Sequence, residues 1–310
     1  MSLVFDSGLN IYRKTLRRIR PVHSALHRVI KWTVIPVMEQ TRNFRTMPDD
    51  PFWFRLELLL GQHERETVAL LPQYVRPGMV VLDIGAHVGY YARSFSRLVG
   101  PEGTVISFEP HPRTFKVLVR NVSRLGNVRA AQRAVADQEG EAELFDYLMM
   151  SASGSLNYDE SLRDLQRAHV ASGDVAPRIA SDFPVEKFTV KVTTADNLLD
   201  EMGIARVDVI KMDIEGAEMR ALRGMQATIA RSPQLTLIME YNPQALKASG
   251  VEPVAALREV QAMGFQQVRA IEADGTLTDF THDDAHLQAR TVALMENMDV
   301  VNLLFTRQQG

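Results

Sequence analysis

Between residues 79 and 307 the chain alternates apolar runs of strand length with longer amphipathic stretches, and this alternation restricts the fold more than any other feature. Seven apolar runs are found, at 79–84, 104–110, 128–135, 206–214, 234–241, 265–271 and 299–307. Apolar residues at helical spacings separate most of them. Strands that alternate with helices form a parallel sheet covered on both faces, so the sequence predicts an α/β fold with a seven-stranded sheet.

The connection before the last run departs from this rule. The segment between 265–271 and 299–307 shows no convincing long helix. A strand that returns through a loop pairs more easily antiparallel with its neighbour. We therefore expect the last strand of the sheet to be antiparallel.

The first 50 residues differ in composition from the rest of the chain. From Asn10 to Thr33 there are seven Lys or Arg residues and no acid. Apolar side chains recur every three or four positions over 9–30, which predicts an amphipathic helix with a basic face. Such a helix packs on the chain itself or on a second copy in a homo-oligomer, or lies on an anionic membrane surface. We expect a helical extension at 1–50 and one domain at 51–310, with an insertion at about 148–187.

Composition excludes several classes of protein. The 310-residue chain has a formal net charge of −3 and an isoelectric point of about 6.3, without the overall basic field of nucleic-acid-binding proteins. It contains no cysteine, which excludes disulfides and suits a reducing compartment. The apolar run at 29–38 is interrupted by Lys31 and Pro36 and is too short to span a membrane. We expect a cytoplasmic protein, with peripheral membrane contact through 9–30 as an alternative.

The segment VLDIGAHVGYY ends the first strand and begins the helix that follows it. A glycine turn at such a junction is typical of nucleotide-binding sites. The pattern Asp83-x-Gly85-x-x-x-Gly89 lacks the middle glycine of the dinucleotide motif, and Ala86 and His87 stand in its place. An acid at the strand end would repel a pyrophosphate but suits a positively charged ligand. We expect these five residues to bind the ligand, and a side chain at position 85 to fill the ligand's space without disturbing the fold.

A second acid indicates what else the ligand contains. Glu109 ends the second strand, twenty residues after Gly89. An acid at this place accepts hydrogen bonds from ribose hydroxyls. A ligand with a ribose, a positive charge and no need for a phosphate site is S-adenosylmethionine, in preference to a nicotinamide cofactor. After the third strand, Ala134 and Val135 would lie against the adenine, and Asp137 would accept from its exocyclic amine.

Five segments together resemble one known family: VLDIGAHVGYY, FEP at 108–110, VTTADNLL at 192–199, VDVIKMDIEGAEMRALRGM at 207–225 and LIMEYNP at 237–243. They are similar to the FkbM family of S-adenosylmethionine-dependent methyltransferases. The resemblance implies a class I methyltransferase, Rossmann-like fold with S-adenosylmethionine as cofactor. It also implies methyl transfer, usually to a hydroxyl group of a sugar, glycan or secondary metabolite, so the expected partner is a small-molecule or glycan acceptor.

Charged residues gather where the fourth and fifth strands end. The end of the fourth strand is surrounded by Lys211, Asp213, Glu215 and Glu218, and the fifth ends at Glu240. A hydroxyl acceptor needs a general base within reach, or a metal that lowers its pKa. We expect Asp213 and Glu240 to be the catalytic pair, with Glu215 in reserve and Asp213 also near the cofactor. Glu215 and Glu218 equally fit acids favoured by a helix N-terminus.

Three alternatives complete the interpretation of the sequence. THDDAH at 281–286 fits either a metal cluster or a solvated polar loop, and we predict no metal site. EYNP after the fifth strand also resembles sites for amines, so an N-methyltransferase acting on a small molecule is the alternative enzyme. A non-catalytic adaptor is the alternative outside catalysis, although the intact acids argue against it. We expect no nucleic-acid partner, because the basic N-terminus has no counterpart elsewhere.

Overall fold

The computed structural model describes residues 28–146, 151, 154–156 and 185–307. The chain divides into two compact units, Met1–Arg65 and Glu66–Gly310. The domain boundary between residues 50 and 51 stays a prediction. The helix expected at 9–30, apart from its last three residues, and most of the insertion expected at about 148–187 lie outside the described residues. The membrane and oligomer contacts proposed for 9–30 therefore stay predictions as well.

The described part of the first unit is mainly helical. A π-helical turn, Ile30–Val34, leads directly into helix α1, Ile35–Arg42, and helix α2 follows at Phe52–Leu60. Pro36 lies in the first turn of α1, where its missing N–H costs no hydrogen bond. Trp32 is 70% exposed. In the part of the chain that the structure describes, no helix is long and apolar enough to cross a membrane.

A buried ion pair links α1 and α2. The Arg55 guanidinium donates to Glu39 Oε1 at 3.2 Å, and both side chains are buried. The same oxygen accepts hydrogen bonds from the amide and the hydroxyl of Thr46, at 2.9 and 2.6 Å. Burial alone would raise the pKa of Glu39, but the hydrogen bonds from Thr46, Arg45 and Arg55 hold it below its ordinary value. Such a pair stabilises the fold only while both partners are present.

Replacing Glu39 should therefore destabilise the protein strongly. Glu39→Ala leaves the Arg55 guanidinium buried without its carboxylate, which we expect to lower the unfolding free energy by about 3–5 kcal/mol. Chemical denaturation followed by circular dichroism measures the loss. Asp49→Ala removes an exposed acid of the same unit and should change the unfolding free energy by less than about 0.5 kcal/mol. Equal effects of the two substitutions would contradict the role given to this ion pair.

The second unit is built on two sheets. Its described strands are β1 (Val80–Ile84), β2 (Thr104–Phe108), β3 (Val128–Ala131), β4 (Ala134–Val135), β5 (Gly140–Asp146), β6 (Glu186–Thr193), β7 (Val209–Met212), β8 (Thr236–Tyr241), β9 (Gln267–Ile271), β10 (Leu277–Asp279) and β11 (Val301–Thr306). The large sheet has the order β10-β9-β11-β8-β7-β1-β2-β3, and the small sheet the order β4-β6-β5. From β3 through β2, β1 and β7 to β8, neighbouring strands are parallel.

The antiparallel last strand predicted from the sequence is confirmed. β11 lies between β8 and β9 and pairs antiparallel with both. The large sheet has eight strands where seven are predicted. The additional strand is β10, which pairs antiparallel with β9 at the sheet edge.

The described helices of this part of the chain lie before and between its strands. They are α3 (Arg65–Tyr74), α4 (Tyr90–Val99), α5 (Pro112–Val122), α6 (Ala195–Glu201), α7 (Glu218–Arg223), α8 (Gln226–Arg231), α9 (Pro243–Ala248), α10 (Pro253–Ala262) and α11 (Asp284–Asn297). Successive residues of β1 belong to different apolar clusters: Val81 to the one that contains Phe95 of α4, and Leu82 to the one that contains Leu222 of α7. Because side chains alternate along a strand, Asp83 lies on the same face as Val81.

Two details of the predicted sheet are wrong. The connection before β11 contains α11, a helix of 14 residues. Only Leu287 and Thr291 of this helix are buried, so its apolar pattern is too sparse to reveal a helix in the sequence. The run at 128–135 is two strands rather than one, because β3 belongs to the large sheet and β4 to the small one. Gln132 and Arg133 separate them.

Candidate functional site

Four acids lie at one edge of the large sheet. β2, β1, β7 and β8 are adjacent and parallel, so their carboxyl ends share this edge. Asp83 lies within β1 and Glu240 within β8, while Glu109 and Asp213 directly follow β2 and β7. In open α/β sheets, ligands bind outside this edge. The fold therefore brings residues predicted for cofactor binding next to residues predicted for catalysis.

The turn after β1 is formed by three residues in the left-handed region. Gly85, His87 and Gly89 have φ angles of +85°, +49° and +88°. The amides of Gly85 and Ala86 both donate to the carbonyl oxygen of Phe108, at 3.0 and 2.9 Å. These bonds attach the turn to the end of β2.

Gly85 is required by the protein's own packing. A Cβ atom at this position would lie 1.8 Å from the carbonyl oxygen of Asp213 and 3.1 Å from the Ile214 side chain. The Asp213 amide in turn donates to the Ile84 carbonyl at 3.0 Å. The expectation that a side chain at position 85 leaves the fold undisturbed is therefore wrong, because the turn after β1 packs directly on the segment after β7.

The Asp83 carboxyl is buried with one oxygen unsatisfied. The residue is 1% exposed, and its Oδ2 atom has no hydrogen-bond partner among the described residues. Burial raises the pKa of Asp83 to about 7, although the nearby Lys211 ammonium opposes this shift. A cationic group at Oδ2 would satisfy the oxygen and favour the ionised form. The carboxyl therefore fits the α-ammonium group of S-adenosylmethionine.

Glu109 connects the turn after β1 to the loop after β2. Its Oε2 accepts a hydrogen bond from the His87 amide, and its Oε1 accepts one from the His111 amide, both at 2.9 Å. Burial raises the pKa of Glu109 to about 7. A carboxylate has about four acceptor positions, so positions remain for ribose hydroxyls. The His87 ring has a separate partner, because its Nε2 lies 2.5 Å from Ser151 Oγ.

Asp213 and Glu240, the predicted catalytic pair, lie close together. A carboxylate oxygen of one lies within 4.8 Å of a carboxylate oxygen of the other. Both side chains are partly exposed, so an acceptor can reach them. Asp213 also accepts a hydrogen bond from Lys211 Nζ at 3.2 Å. Two carboxylates at this separation can take up a proton or supply two ligands to a divalent cation.

Glu215 and Glu218 lie three residues apart in different surroundings. Glu215 has a φ of +50°, and its Oε2 accepts from Asn242 Nδ2 at 3.2 Å. Glu218 is buried, and its Oε1 accepts from the amides of Ile214 and Gly216 at 3.3 and 3.2 Å. Burial raises the pKa of Glu218 to about 7. Glu218 thus closes the loop after β7 from inside, while Glu215 contacts the residue that caps α9.

The residues expected to contact adenine lie in the small sheet and just beyond it. Ala134 and Val135 form β4 and are buried. Asp137 is exposed and forms an ion pair with Arg220 at 3.1 Å. An exocyclic amine would have to share this carboxylate with Arg220. The adenine contacts of all three residues stay predictions.

The THDDAH segment begins helix α11. Asp283 caps the helix by accepting from the His286 amide at 2.7 Å, and Asp284 pairs with Arg258. The rings of His282 and His286 lie 6.5 Å apart, and both residues are exposed. Within the described ranges, no three potential ligand atoms converge here. Both interpretations of this segment stay predictions.

Lys211 is a further residue of this edge, to which the sequence alone gives no role. This lysine lies in β7 and is 1% exposed, yet its Nζ reaches Asp213 and lies over the Tyr91 ring, 5.0 Å from the ring centre. In the sequence, Lys211 could have been noticed as a lysine inside an otherwise apolar run of strand length. A charge at such a position needs a partner, and the acids on either side were the candidates.

A model of the methyltransferase FkbM domain matches residues 83–267. The chain belongs to the FkbM methyltransferase family. The family expected from the sequence motifs is thereby confirmed. The match begins at Asp83 and includes the turn after β1, the end of β7 and all of β8, so the sheet edge described above lies within it.

Several relatives have named activities. The chain is 30% identical over 160 residues to 31-O-demethyl-FK506 methyltransferase FkbM of Streptomyces tacrolimicus, covering 49% of this chain and 61% of that protein. It is 27% identical to the 2-O-methyltransferase NoeI of Sinorhizobium fredii, covering 63% and 75%. It is 24% identical to the hexuronic acid methyltransferase AglP of Haloferax volcanii, covering 52% and 56%. The chain thus spans little more than half the length of two of these relatives.

Solved structures resemble the fold more distantly. A SAM-dependent methyltransferase from Aquifex aeolicus superposes with a TM-score of 0.41 at 14% identity, covering 88% of this chain and 98% of that one.

Substituting Gly85 should disturb folding. Gly85→Ala places a Cβ atom against the Asp213 carbonyl at a positive φ, so we expect a loss of at least about 1–3 kcal/mol of unfolding free energy. Chemical denaturation measures this loss. Gly126→Ala is the matched control, because a Cβ there meets nothing within 4 Å, and it should change the unfolding free energy by less than about 1 kcal/mol. Equal stability of both variants would be incompatible with the close packing at position 85.

Stability should fall as the pH rises from about 5 to about 8. The folded-state pKa values of Asp83, Glu109 and Glu218 are raised to about 7, from ordinary values of 3.8 for Asp and 4.5 for Glu. The folded protein therefore binds more protons than the unfolded chain in this range, and stability is lost as pH rises through the folded pKa. Denaturation at several pH values measures the slope. Glu218→Gln should reduce it by about a third, and an unchanged slope would refute the raised pKa of Glu218.

Proposed function

We propose that this chain transfers a methyl group from S-adenosylmethionine to a hydroxyl group of a sugar, glycan or secondary metabolite. The observation that carries the proposal is the pair of Asp213 and Glu240, with carboxylate oxygens within 4.8 Å of each other at the edge that also holds Asp83. A hydroxyl group is a weak nucleophile until a base removes its proton. A partly exposed carboxylate pair beside a cofactor site supplies such a base.

Asp83 and Glu109 support S-adenosylmethionine as the cofactor. This cofactor supplies a methyl group bound to a sulfonium sulfur, and it carries an α-ammonium group and a ribose. Asp83 Oδ2, which has no partner among the described residues, accepts the ammonium group. Glu109 accepts the ribose hydroxyls while the His87 amide holds its Oε2 in place. Ala134 and Val135 supply an apolar surface for the adenine.

Asp213 and Glu240 divide the work on the acceptor. One of them takes the proton of the acceptor hydroxyl, and the other orients that hydroxyl in line with the methyl group and the sulfur. Glu215 stays in reserve for either task, with its Oε2 accepting a hydrogen bond from Asn242. Asp213 directly follows β7, the neighbour of β1, and is therefore the acid of the pair closer to the cofactor turn.

The named relatives support a hydroxyl-bearing acceptor. One is named a 2-O-methyltransferase, another a 31-O-demethyl-FK506 methyltransferase and a third a hexuronic acid methyltransferase. The alternative of an amine acceptor rested on the EYNP segment. Asn242 of that segment donates to Glu215 and accepts from the Ala245 amide as the cap of α9. Its amide group is therefore engaged within the protein, and the amine interpretation loses its main support.

An acceptor screen tests the proposed function directly. The protein is incubated with S-adenosylmethionine labelled in the methyl group and with panels of methyl glycosides, hexuronic acids, macrocyclic alcohols and primary amines. We expect label in a hydroxyl-bearing panel, with an O-methyl product by mass spectrometry. Label confined to amines would replace the proposal with the N-methyltransferase alternative. Absence of S-adenosylmethionine binding in calorimetry would leave only the adaptor alternative.

Removing charge from the carboxylate pair should slow turnover. Asp213→Asn and Glu240→Gln keep the side-chain shapes, and whichever replaces the base should lower kcat by about 10²–10⁴-fold. For Glu240→Gln the affinity for S-adenosylmethionine should change little, because this acid serves the acceptor. Steady-state kinetics with the labelled acceptor and calorimetry with the cofactor separate the two effects. Glu201→Gln changes an exposed acid and serves as control. Near-normal kcat in both variants would place the base elsewhere.

A further inference from the structure

Lys211 is a buried cation that lies between two acids of neighbouring strands. In the parallel register of β1 and β7, Lys211 is the direct partner of Asp83. Its Nζ donates to Asp213 Oδ2 at 3.2 Å. Asp213 comes two residues later and directly follows β7. Lys211 is 1% exposed. The ammonium group therefore has one acid beside it on β1 and another just beyond the end of β7.

Other side chains around Lys211 include an aromatic ring and apolar residues. Tyr91 of α4 presents the face of its ring, with the ring centre 5.0 Å from Nζ. On the other side of β7, the register partner of Lys211 is Ile238 of β8. Val209, two residues before Lys211, and Ile238 belong to the apolar cluster of this face. Burying an ammonium group among such residues costs free energy that an aliphatic residue would avoid. Interaction with the nearby carboxylates offsets this cost.

The charge of Asp83 depends on this lysine. Asp213 and Glu109 raise the pKa of Asp83 further beyond the effect of burial, whereas Lys211 lowers it. Without Lys211, Asp83 would lose the nearby cation that opposes the effect of the Asp213 charge on its pKa. The bond from Lys211 Nζ to one oxygen of Asp213 also restrains the Asp213 side chain, which is 30% exposed.

We propose that Lys211 is a positioning residue of the cofactor site, which holds the Asp213 carboxylate in place beside the sulfonium group. This inference rests on the proposed function in one respect, the placement of Asp213 next to S-adenosylmethionine. Lys211 itself touches neither cofactor nor acceptor. Its effect on the ligand passes through Asp213, so the effect disappears when Asp213 carries no charge.

A double-mutant cycle on cofactor affinity tests this dependence. The variants are Lys211→Met, Asp213→Asn and the double variant, with S-adenosylmethionine and S-adenosylhomocysteine as probes in calorimetry. We expect Lys211→Met to weaken binding of S-adenosylmethionine by about tenfold in the wild-type background and by less than about twofold in the Asp213→Asn background. The neutral S-adenosylhomocysteine should respond less, because it has no sulfonium charge for Asp213 to face.

A purely structural role for Lys211 would give a different result. Loss of a packing residue lowers the unfolding free energy and weakens the binding of both probes equally in both backgrounds. Equal effects in the two backgrounds, tighter binding, or no effect at all would each overturn the proposal. Lys191→Met removes an exposed lysine of β6 and should leave the affinity for both probes unchanged. If wild-type protein did not bind S-adenosylmethionine, the cofactor assignment would fail together with this proposal.

A second variant covers the case in which Lys211→Met does not fold. Lys211→Arg keeps the positive charge but replaces a single ammonium group by a planar guanidinium, which cannot donate from the same point. Lys211→Arg should weaken S-adenosylmethionine binding by less than about tenfold, and the effect should again vanish in the Asp213→Asn background. An effect of Lys211→Arg that persists in the Asp213→Asn background would overturn the proposal.

Discussion

The candidate site depends on the close contact between the turn after β1 and the segment after β7. Gly85 has no side chain, so its backbone can lie where a Cβ atom would be 1.8 Å from the Asp213 carbonyl. The Asp213 amide donates to Ile84 and completes the junction. This contact places the segment that carries Asp213 beside the turn that follows Asp83. Glu240 of the adjacent strand β8 lies close to Asp213.

The density of buried charge at this edge is the main sign that it serves a ligand. Asp83, Glu109, Lys211 and Glu218 are all nearly inaccessible to solvent. Glu218 is satisfied by the loop that it closes, and Glu109 holds the turn after β1. Asp83 keeps an unsatisfied oxygen among the described residues, a cost that packing does not explain. A buried polar atom without a hydrogen-bond partner is expected where a protein binds a ligand or catalyses a reaction.

The sequence predicts those features that depend on local pattern. Strand length, helical spacing and the glycine turn are all visible within a few residues, and they led to the correct fold class and family. Features that depend on distant pairing were missed or misjudged. The close approach of Gly85 to Asp213 joins residues 128 positions apart, counted along the chain, and α11 buries only Leu287 and Thr291. The pairing of Lys211 with Asp83 joins two strands and is visible only in their register.

The register of β1 and β7 also explains why two similar acids, Asp83 and Asp213, differ in exposure and are proposed for different tasks. Asp83 is paired with Lys211 inside the sheet. Asp213 comes two residues after Lys211 and lies beyond Met212, the last paired position of β7. Asp83 is therefore fixed and 1% exposed, while the Asp213 side chain is 30% exposed. A fixed buried carboxylate suits an ammonium group that stays in one place throughout a reaction. A partly exposed one, restrained by Lys211, suits the point where a methyl group and an acceptor meet.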